Sequence, residues 1–242
     1  MHYFFGKTVQ GAKSQNNEDC YLINNHVYDI DSKKVQSKKE HFVVGIADGV
    51  GSAKHGDFAS KYILEQIAKR KNQLSRSIII NLLNNAHAYL QREYQGSAST
   101  VGSLIYGDHE RILIFHLGDT RVYKLTERNL VQLTNDHTVV QRLVDSGVIG
   151  ENMRNSHRQK HLILQSYGGN HSISLDIYPN TLEPGEKLLL TTDGIHDYLS
   201  AERIESILRK SNNLKTVVNK LIAEAKEQGS KDDLTALLVR YD

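Results

Sequence analysis

Three apolar runs of this sequence end in an aspartate at or beside a glycine: Val43-Val44-Gly45-Ile46-Ala47-Asp48-Gly49, Phe115-His116-Leu117-Gly118-Asp119 and Leu189-Leu190-Thr191-Thr192-Asp193-Gly194. Two more acidic pairs precede apolar runs, Asn17-Glu18-Asp19 ahead of Cys20 and Lys231-Asp232-Asp233 ahead of Leu234. A buried strand that emerges into a carboxylate puts charge at the rim of a sheet, where it is costly unless a cation compensates it. Any one Asp-Gly pair reads as a turn after a strand. Repeated at five places, the pattern points instead to a site of hard oxygen donors, with the glycines letting backbone carbonyls join it. The single cysteine, Cys20, excludes a thiolate cluster, and oxygen ligands favour magnesium or manganese over zinc or copper. Two such ions about 3.5–4 Å apart activate a bridging water and clamp phosphoryl oxygens, so hydrolysis of a phosphate ester is the chemistry this pattern suits.

The elements that must position these residues are mostly short strands. Apolar runs predict them at Tyr3–Val9, Cys20–Ile23, Phe42–Ala47, Val101–Tyr106, Ile112–Leu117, Val122–Leu125, Leu130–Leu133, Ile173–Tyr178, Leu188–Thr191 and Ala236–Val239. The breaks after Leu117 and Leu125 leave no room for crossover helices, so the stretch from Ile112 to Leu133 is expected to be an antiparallel meander. Helical spacing predicts a pair at Phe58–Arg70 and Ser75–Tyr94. A second pair falls at Ala201–Lys210 behind the N-cap Ser200 and at Leu214–Gln228 closed by Gly229. Runs of strands alternating with helix pairs indicate an α+β fold. The Lys-rich stretch Lys33-Lys34 to Lys38-Lys39 reads as a solvated hairpin loop.

The chain has 242 residues with 39% hydrophobic and 24% charged, an ordinary globular composition, and no Pro/Gly/Ser-rich stretch divides it. One domain over residues 1–242 is expected. Thirty basic and 28 acidic residues give a charge of +2, which indicates neither a nucleic-acid nor a membrane partner. No secretory leader and no apolar run of ~18 residues is present, so a cytoplasmic location is expected, with the chain acting as a monomer.

At these residues the sequence resembles the metal-dependent serine/threonine protein phosphatases of type 2C, particularly their compact bacterial form. The ordered motifs are Asn17-Glu18-Asp19, Ala47-Asp48-Gly49-Val50-Gly51, Gly96-Ser97-Ala98-Ser99-Thr100, Leu117-Gly118-Asp119-Thr120-Arg121-Val122-Tyr123, Leu133-Thr134-Asn135-Asp136-His137-Thr138, Thr192-Asp193-Gly194 and Ser230-Lys231-Asp232-Asp233-Leu234-Thr235, and Leu143 to Ile149 looks like the start of the family's flap. The resemblance implies a four-layer αββα sandwich of two antiparallel β-sheets flanked by helix pairs. It also implies hydrolysis of phosphoserine and phosphothreonine in proteins by a metal-bridging water, without a covalent intermediate. Magnesium or manganese would be the cofactor, as two ions with a possible third, and a phosphorylated protein and a cognate serine/threonine kinase the partners in signalling. Asp48 would bridge both ions, the Gly49 carbonyl would bind one, and Asp193 and Asp232 the other. Glu18 and Asp19 would orient water behind them, and Asp119 with Asp193 matches a third position. Asp233 stands where the family usually has Asn and is the less favoured ligand beside Asp232.

Two departures bear on the substrate phosphate. Ser14 stands where the family commonly has an arginine, with Lys13 one residue away as a point charge lacking the guanidinium fork. The usual Gly-Gly-His becomes Gly51-Ser52-Ala53-Lys54-His55, so Lys54 and His55 are the candidates for phosphate contact. These departures motivate an alternative, a catalytically weak or inactive module that binds a phosphoprotein or regulator. A second rival, a phosphoaspartyl hydrolase built on Asp29-Ile30-Asp31-Ser32, lacks the apolar strand it needs before the motif. Cys20 and His116 read as core residues, Asp136 and His137 as structural, and Arg121 as a brace paired with a carboxylate. The cluster His157, Arg158, Lys160 and His161 falls in the flap.

Overall fold

Alternating side chains along each strand give two apolar faces, and the computed structural model buries both. It describes residues 1–30, 32–37, 41–51, 53–70, 73–154 and 156–242. One antiparallel sheet has the order β4 (Ser32–Ser37), β1 (His2–Val9), β12 (Leu234–Tyr241), β11 (Lys187–Thr191), β8 (Arg121–Leu125), β9 (Leu130–Gln132). The other runs β10 (Asp176–Thr181), β7 (Arg111–Leu117), β6 (Thr100–Asp108), β5 (His41–Gly49), β2 (Cys20–Ile23), β3 (His26–Tyr28). In β12, Leu237 and Val239 face the other sheet while Leu234, Ala236 and Leu238 face helices. In β7, Ile112 and Ile114 point inward while Phe115 and Leu117 point to the other helix layer. Helices α1 (Gly56–Ala68) and α2 (Arg76–Tyr94) cover the second sheet. Two helices near the C-terminus, α5 (Ala201–Lys210) and α6 (Leu214–Glu227), cover the first. This is the four-layer αββα arrangement expected. Caps fix the helix ends where the sequence placed them: Ser75, Ser200 and Asn213 accept from the N–H three residues on, and Gly229 follows α6 with φ +95°.

Three expectations are corrected. Residues 112–133 are not one meander: β7 pairs with β6 and β10, β8 with β11 and β9, and the chain changes sheet at Gly118-Asp119-Thr120. Gly118 makes the corner at φ +102°, with its Cα side pressed on Val101. The corner is fastened by His137, whose N–H donates to the Gly118 carbonyl at 2.7 Å and whose Nδ1 accepts the Gly118 N–H at 3.1 Å. Secondly, the basic stretch is not all loop: β4 is an edge strand paired with β1, with Val35 partly buried between the sheets and Lys33 exposed, lysine being a common guard of sheet edges. Lys38 and Lys39 lie outside the described residues. Thirdly, β10 begins at Asp176 and carries Pro179, which an edge strand tolerates. The sequence pattern also missed β3, a short edge strand, and two short helices, α3 (Val139–Asp145) and α4 (Asp193–His196).

Candidate active site

Because acidic residues sit at the ends of strands from both sheets, the sandwich gathers them in one recess. Asp48 ends β5, Asp119 lies at the sheet-switching corner, and Asp193 opens α4 directly after β11. Glu18 and Asp19 lead into β2, and Asp232 and Asp233 into β12. Hydroxyl groups hold the arrangement. Thr192 Oγ1 donates to Asp19 Oδ2 at 2.9 Å and accepts the Thr235 N–H at 3.1 Å, linking the two sheets. The Asp48 carbonyl accepts from Thr100 Oγ1 at 2.7 Å, and the Gly49 N–H donates to the Glu18 carbonyl at 3.1 Å. Gly194 packs against the Asp233 carbonyl so closely that a Cβ would lie 1.9 Å from that oxygen.

The carboxylates raise one another's pKa. Burial, followed by the charges of Asp19, Asp193, Asp119 and Asp232, pushes Asp48 well above the carboxylate range. Asp193 is pushed up in the same way by burial, Asp119, Asp232 and Asp197. Burial with the charges of Asp136 and Asp197 takes Asp119 to about 7. Burial takes Asp19 to about 8, despite hydrogen bonds from Thr235 and Thr192, and takes Glu18 to about 7 with help from Asp233.

The pair at 232–233 divides its labour. Asp233 is buried, and its carboxylate accepts the Gly11 N–H and the Glu18 N–H, each at 2.7 Å. Both of its oxygens are therefore engaged in holding the N-terminal segment. Asp232 is exposed at the mouth of the recess.

The other sequence-singled residues fall as follows. Lys13 is exposed and its N–H donates to the Lys231 carbonyl at 3.1 Å, which places it beside the Asp232 segment. Ser14 is half-buried, with its carbonyl taken by Gln10 Nε2. Lys54 and His55 are exposed, and the His55 ring stands edge-on to Tyr94. Ser52 and Asp31 lie outside the described residues, while Asp29 is paired with Lys61 at 2.6 Å on an edge of the second sheet. His116 is fully buried between Ser103 Oγ at 2.9 Å and the Asn135 carbonyl at 3.0 Å, and burial lowers its pKa to about 4. Cys20 is a buried core residue whose thiol burial pushes up. Arg121 braces Asp136, Nη2 to Oδ2 at 2.8 Å.

Sequence reasoning missed Asp197 and left His161 among surface charges. Among the described residues, His161, Asp193 and Asp197 form the one set of three such donors whose atoms lie within 4.8 Å of one another. The missing signal was α4, a single helical turn that brings positions 193 and 197 onto one face.

Divalent cations fit this donor set. The recess offers carboxylates, a nearby backbone carbonyl and an imidazole but no thiolate, and burial with mutual repulsion raises Asp19 to about 8 and Glu18 and Asp119 to about 7, which positive charge entering the recess would relieve. The model for protein phosphatase 2C matches residues 26–239. The chain belongs to the protein phosphatase 2C family. Within that family it is 27% identical to a putative protein phosphatase 2C-type of Streptococcus pyogenes, over 98% of this chain and 96% of the relative. It is 25% identical to the serine/threonine phosphatase stp of Listeria monocytogenes, over 100% of this chain and 96% of that one. Among solved phosphatases, serine/threonine phosphatase Stp1 from Staphylococcus aureus superposes with a TM-score of 0.82 at 25% identity, covering 98% of this chain and 94% of that chain. The catalytic domain of PstP in complex with two manganese ions shares the fold at a TM-score of 0.78 and 21% identity, over 100% of both chains. Membership in the phosphatase 2C family makes this a metal-dependent serine/threonine protein phosphatase, and no helix among the described residues is long and apolar enough to cross a membrane.

Proposed function

We propose that this phosphatase removes phosphate from phosphoserine and phosphothreonine side chains in a recess built by Asp48, the Gly49 carbonyl, Asp193 and Asp232, which hold two magnesium or manganese ions. Such ions activate water as a nucleophile and neutralise the phosphoryl oxygens. The observation that carries the reading is the convergence of carboxylates from both sheets, with Asp48 and Asp193 raised in pKa by burial and by the neighbouring carboxylates. Glu18 and Asp19 lie behind the ligands, where the Thr192 hydroxyl fixes the Asp19 carboxylate as an acceptor for ordered water. Asp119 with Asp193 would hold a third ion, and Asp197 and His161 add donors there; an imidazole favours manganese over magnesium. Lys13 and the exposed Lys54 supply positive charge toward the substrate phosphate in place of the missing arginine fork, with the exposed His55 ring as a hydrogen-bonding partner.

A non-catalytic module is not favoured, because the whole acidic set is retained within a family of phosphatases. The test is phosphate release from a phosphothreonine peptide by the purified chain with manganese, with magnesium and with chelator. Turnover should require the divalent ion and be lost in Asp48→Asn and Asp193→Asn. No turnover with any divalent metal would overturn the catalytic reading.

A further inference from the structure

We propose that Arg154 is a positioning residue, pinning the segment from Arg142 to Leu162 against the acidic recess so that a phosphoprotein, rather than a small phosphate ester, can be held there. The inference rests on the phosphatase reading for its substrate half only. The segment is an excursion closed at its base by backbone bonds, Val139 N–H to the Leu162 carbonyl at 2.9 Å and Leu164 N–H to the His137 carbonyl at 2.7 Å. It forms one wall of the recess: Arg154, Lys160 and His161 line the same hollow as Asp119 and Asp193. Yet it has no apolar anchor. No described residue from Arg142 to Ser166 is fully buried, and Val148, Met153 and Leu162 are exposed. A surface excursion so short of buried contacts would exchange among many conformations unless something specific held it.

Asn135 Nδ2 and Gln141 Nε2 tie its first turn through Asp145 at 3.0 and 2.8 Å, and what holds the rest is ionic. Arg154 Nη2 reaches Asp136, and Nη1 donates to Glu151 within the excursion at 3.1 Å. Asp136 is buried and is already neutralised by Arg121 on β8, so the second guanidinium is not needed to balance that charge. The Arg154 side chain is only 11% exposed, against a carboxylate that is 4% exposed. A charge-assisted bond shielded from water in this way is less screened than the surface ion pairs elsewhere on the chain, and removing one of its partners costs more. Lys160 adds a second, more exposed contact to Asp197 at 3.1 Å. A small ester needs only the two-ion centre of Asp48, Asp193 and Asp232, which the excursion does not carry, and not the third-ion position to which His161 adds a donor. The chain on either side of a phosphoserine must lie against the wall that the excursion forms.

The experiment compares the full-length wild type with Arg154→Met and Arg154→Lys by hydrogen exchange and by kinetics with manganese on a phosphothreonine peptide and on p-nitrophenyl phosphate. In Arg154→Met, amides of the excursion should exchange roughly 10-fold faster while the sheet amides stay unchanged, with Arg154→Lys in between. The KM for the peptide should rise about 10-fold while kcat and kcat/KM for p-nitrophenyl phosphate stay within about 2-fold. Unchanged exchange in the excursion overturns the pin. Faster exchange with equal losses on both substrates, or with no loss on the peptide, overturns the positioning role. A wild type that hydrolyses neither substrate counts against the phosphatase reading, and the exchange arm then still decides the pin.

Discussion

Metal-free protein should lose stability as pH rises through neutrality, and the structure sets the size of the effect. A carboxylate whose folded pKa lies above its unfolded value keeps its proton longer when folded. Its penalty on the fold is therefore absent at low pH and grows as pH passes from the unfolded toward the folded pKa. Asp19 and Asp119 rise from 3.8 to about 8 and about 7, and Glu18 from 4.5 to about 7. The buried histidines act in the opposite sense: His116, lowered from 6.5 to about 4, and His196, also lowered by burial, favour the fold as pH rises through the acid range. At pH 6.5 each of those imidazoles is still half protonated in the unfolded chain, which returns only about 0.4 kcal/mol per histidine by pH 8 against the larger loss from the carboxylates. One proton held by the folded chain alone gives about 1.4 kcal/mol per pH unit, so chelated protein should lose about 1–2 kcal/mol between pH 6.5 and 8. For Asp119, the rise from 3.8 to about 7 corresponds to roughly 4 kcal/mol, which water reaching this half-buried carboxylate reduces to about 1–2 kcal/mol. Asp119→Asn should recover that amount at pH 8 and roughly a third of it at pH 5, where the penalty has only begun to grow. Urea unfolding in EDTA at pH 5, 6.5 and 8 measures both. A wild type equally stable or more stable at pH 8 than at pH 6.5 would refute the reasoning.

Apparent manganese affinity, read by calorimetry, should rise with pH between 6 and 7.5 by up to about 10-fold per unit for each proton displaced; an affinity independent of pH would mean that the raised carboxylates are not the ligands. Asp233→Ala should cost about 2–4 kcal/mol in denaturant, since it leaves the buried Gly11 and Glu18 N–H groups without an acceptor, whereas Asp232→Ala should cost under about 1 kcal/mol but weaken manganese binding; the reverse pattern would exchange their roles. Gly194→Ala should destabilise by about 2–3 kcal/mol, because its methyl group must displace the Asp233 carbonyl, and unfolding that matches wild type would show that the backbone yields freely there.

Much of the architecture was legible because its signals are local. Ser200 and Gly229 bound their helices through their own backbone preferences, and Cys20–Ile23 is a strand in sequence and in structure. Features settled by distant partners were not legible. Whether the turn after Leu117 makes a hairpin or carries the chain to the other sheet depends on His137 and Val101, far along the chain. Lys33 and Val35 form a strand only because β1 offers an edge to pair with. In the recess, the residue types at Asp48, Asp119 and Asp193 stood out as aspartates closing apolar runs. The division between Asp232 and Asp233 required knowing that Gly11 folds back onto one of them. His161 reaches Asp193 only through the excursion that Arg154 holds.

The sheet switch explains why one fold can carry so much negative charge in one place. Had β7 and β8 formed a hairpin, Asp119 would sit at an exposed turn beside its own sheet, at an ordinary pKa and with nothing to bind. Because the chain instead crosses the gap at Gly118, the carboxylate enters the space that Asp48 reaches from one sheet and Asp193 from the other. The same crossing half-buries all three and sets them against one another. The fold bears this because the threonine hydroxyls at 100 and 192, the Thr235 N–H and the bonds from the N-terminal backbone to the Asp233 carboxylate fix the frame. A recess kept rigid while its charges remain uncompensated is one whose free energy falls when cations enter, so the strain that would weaken an ordinary core here becomes metal affinity.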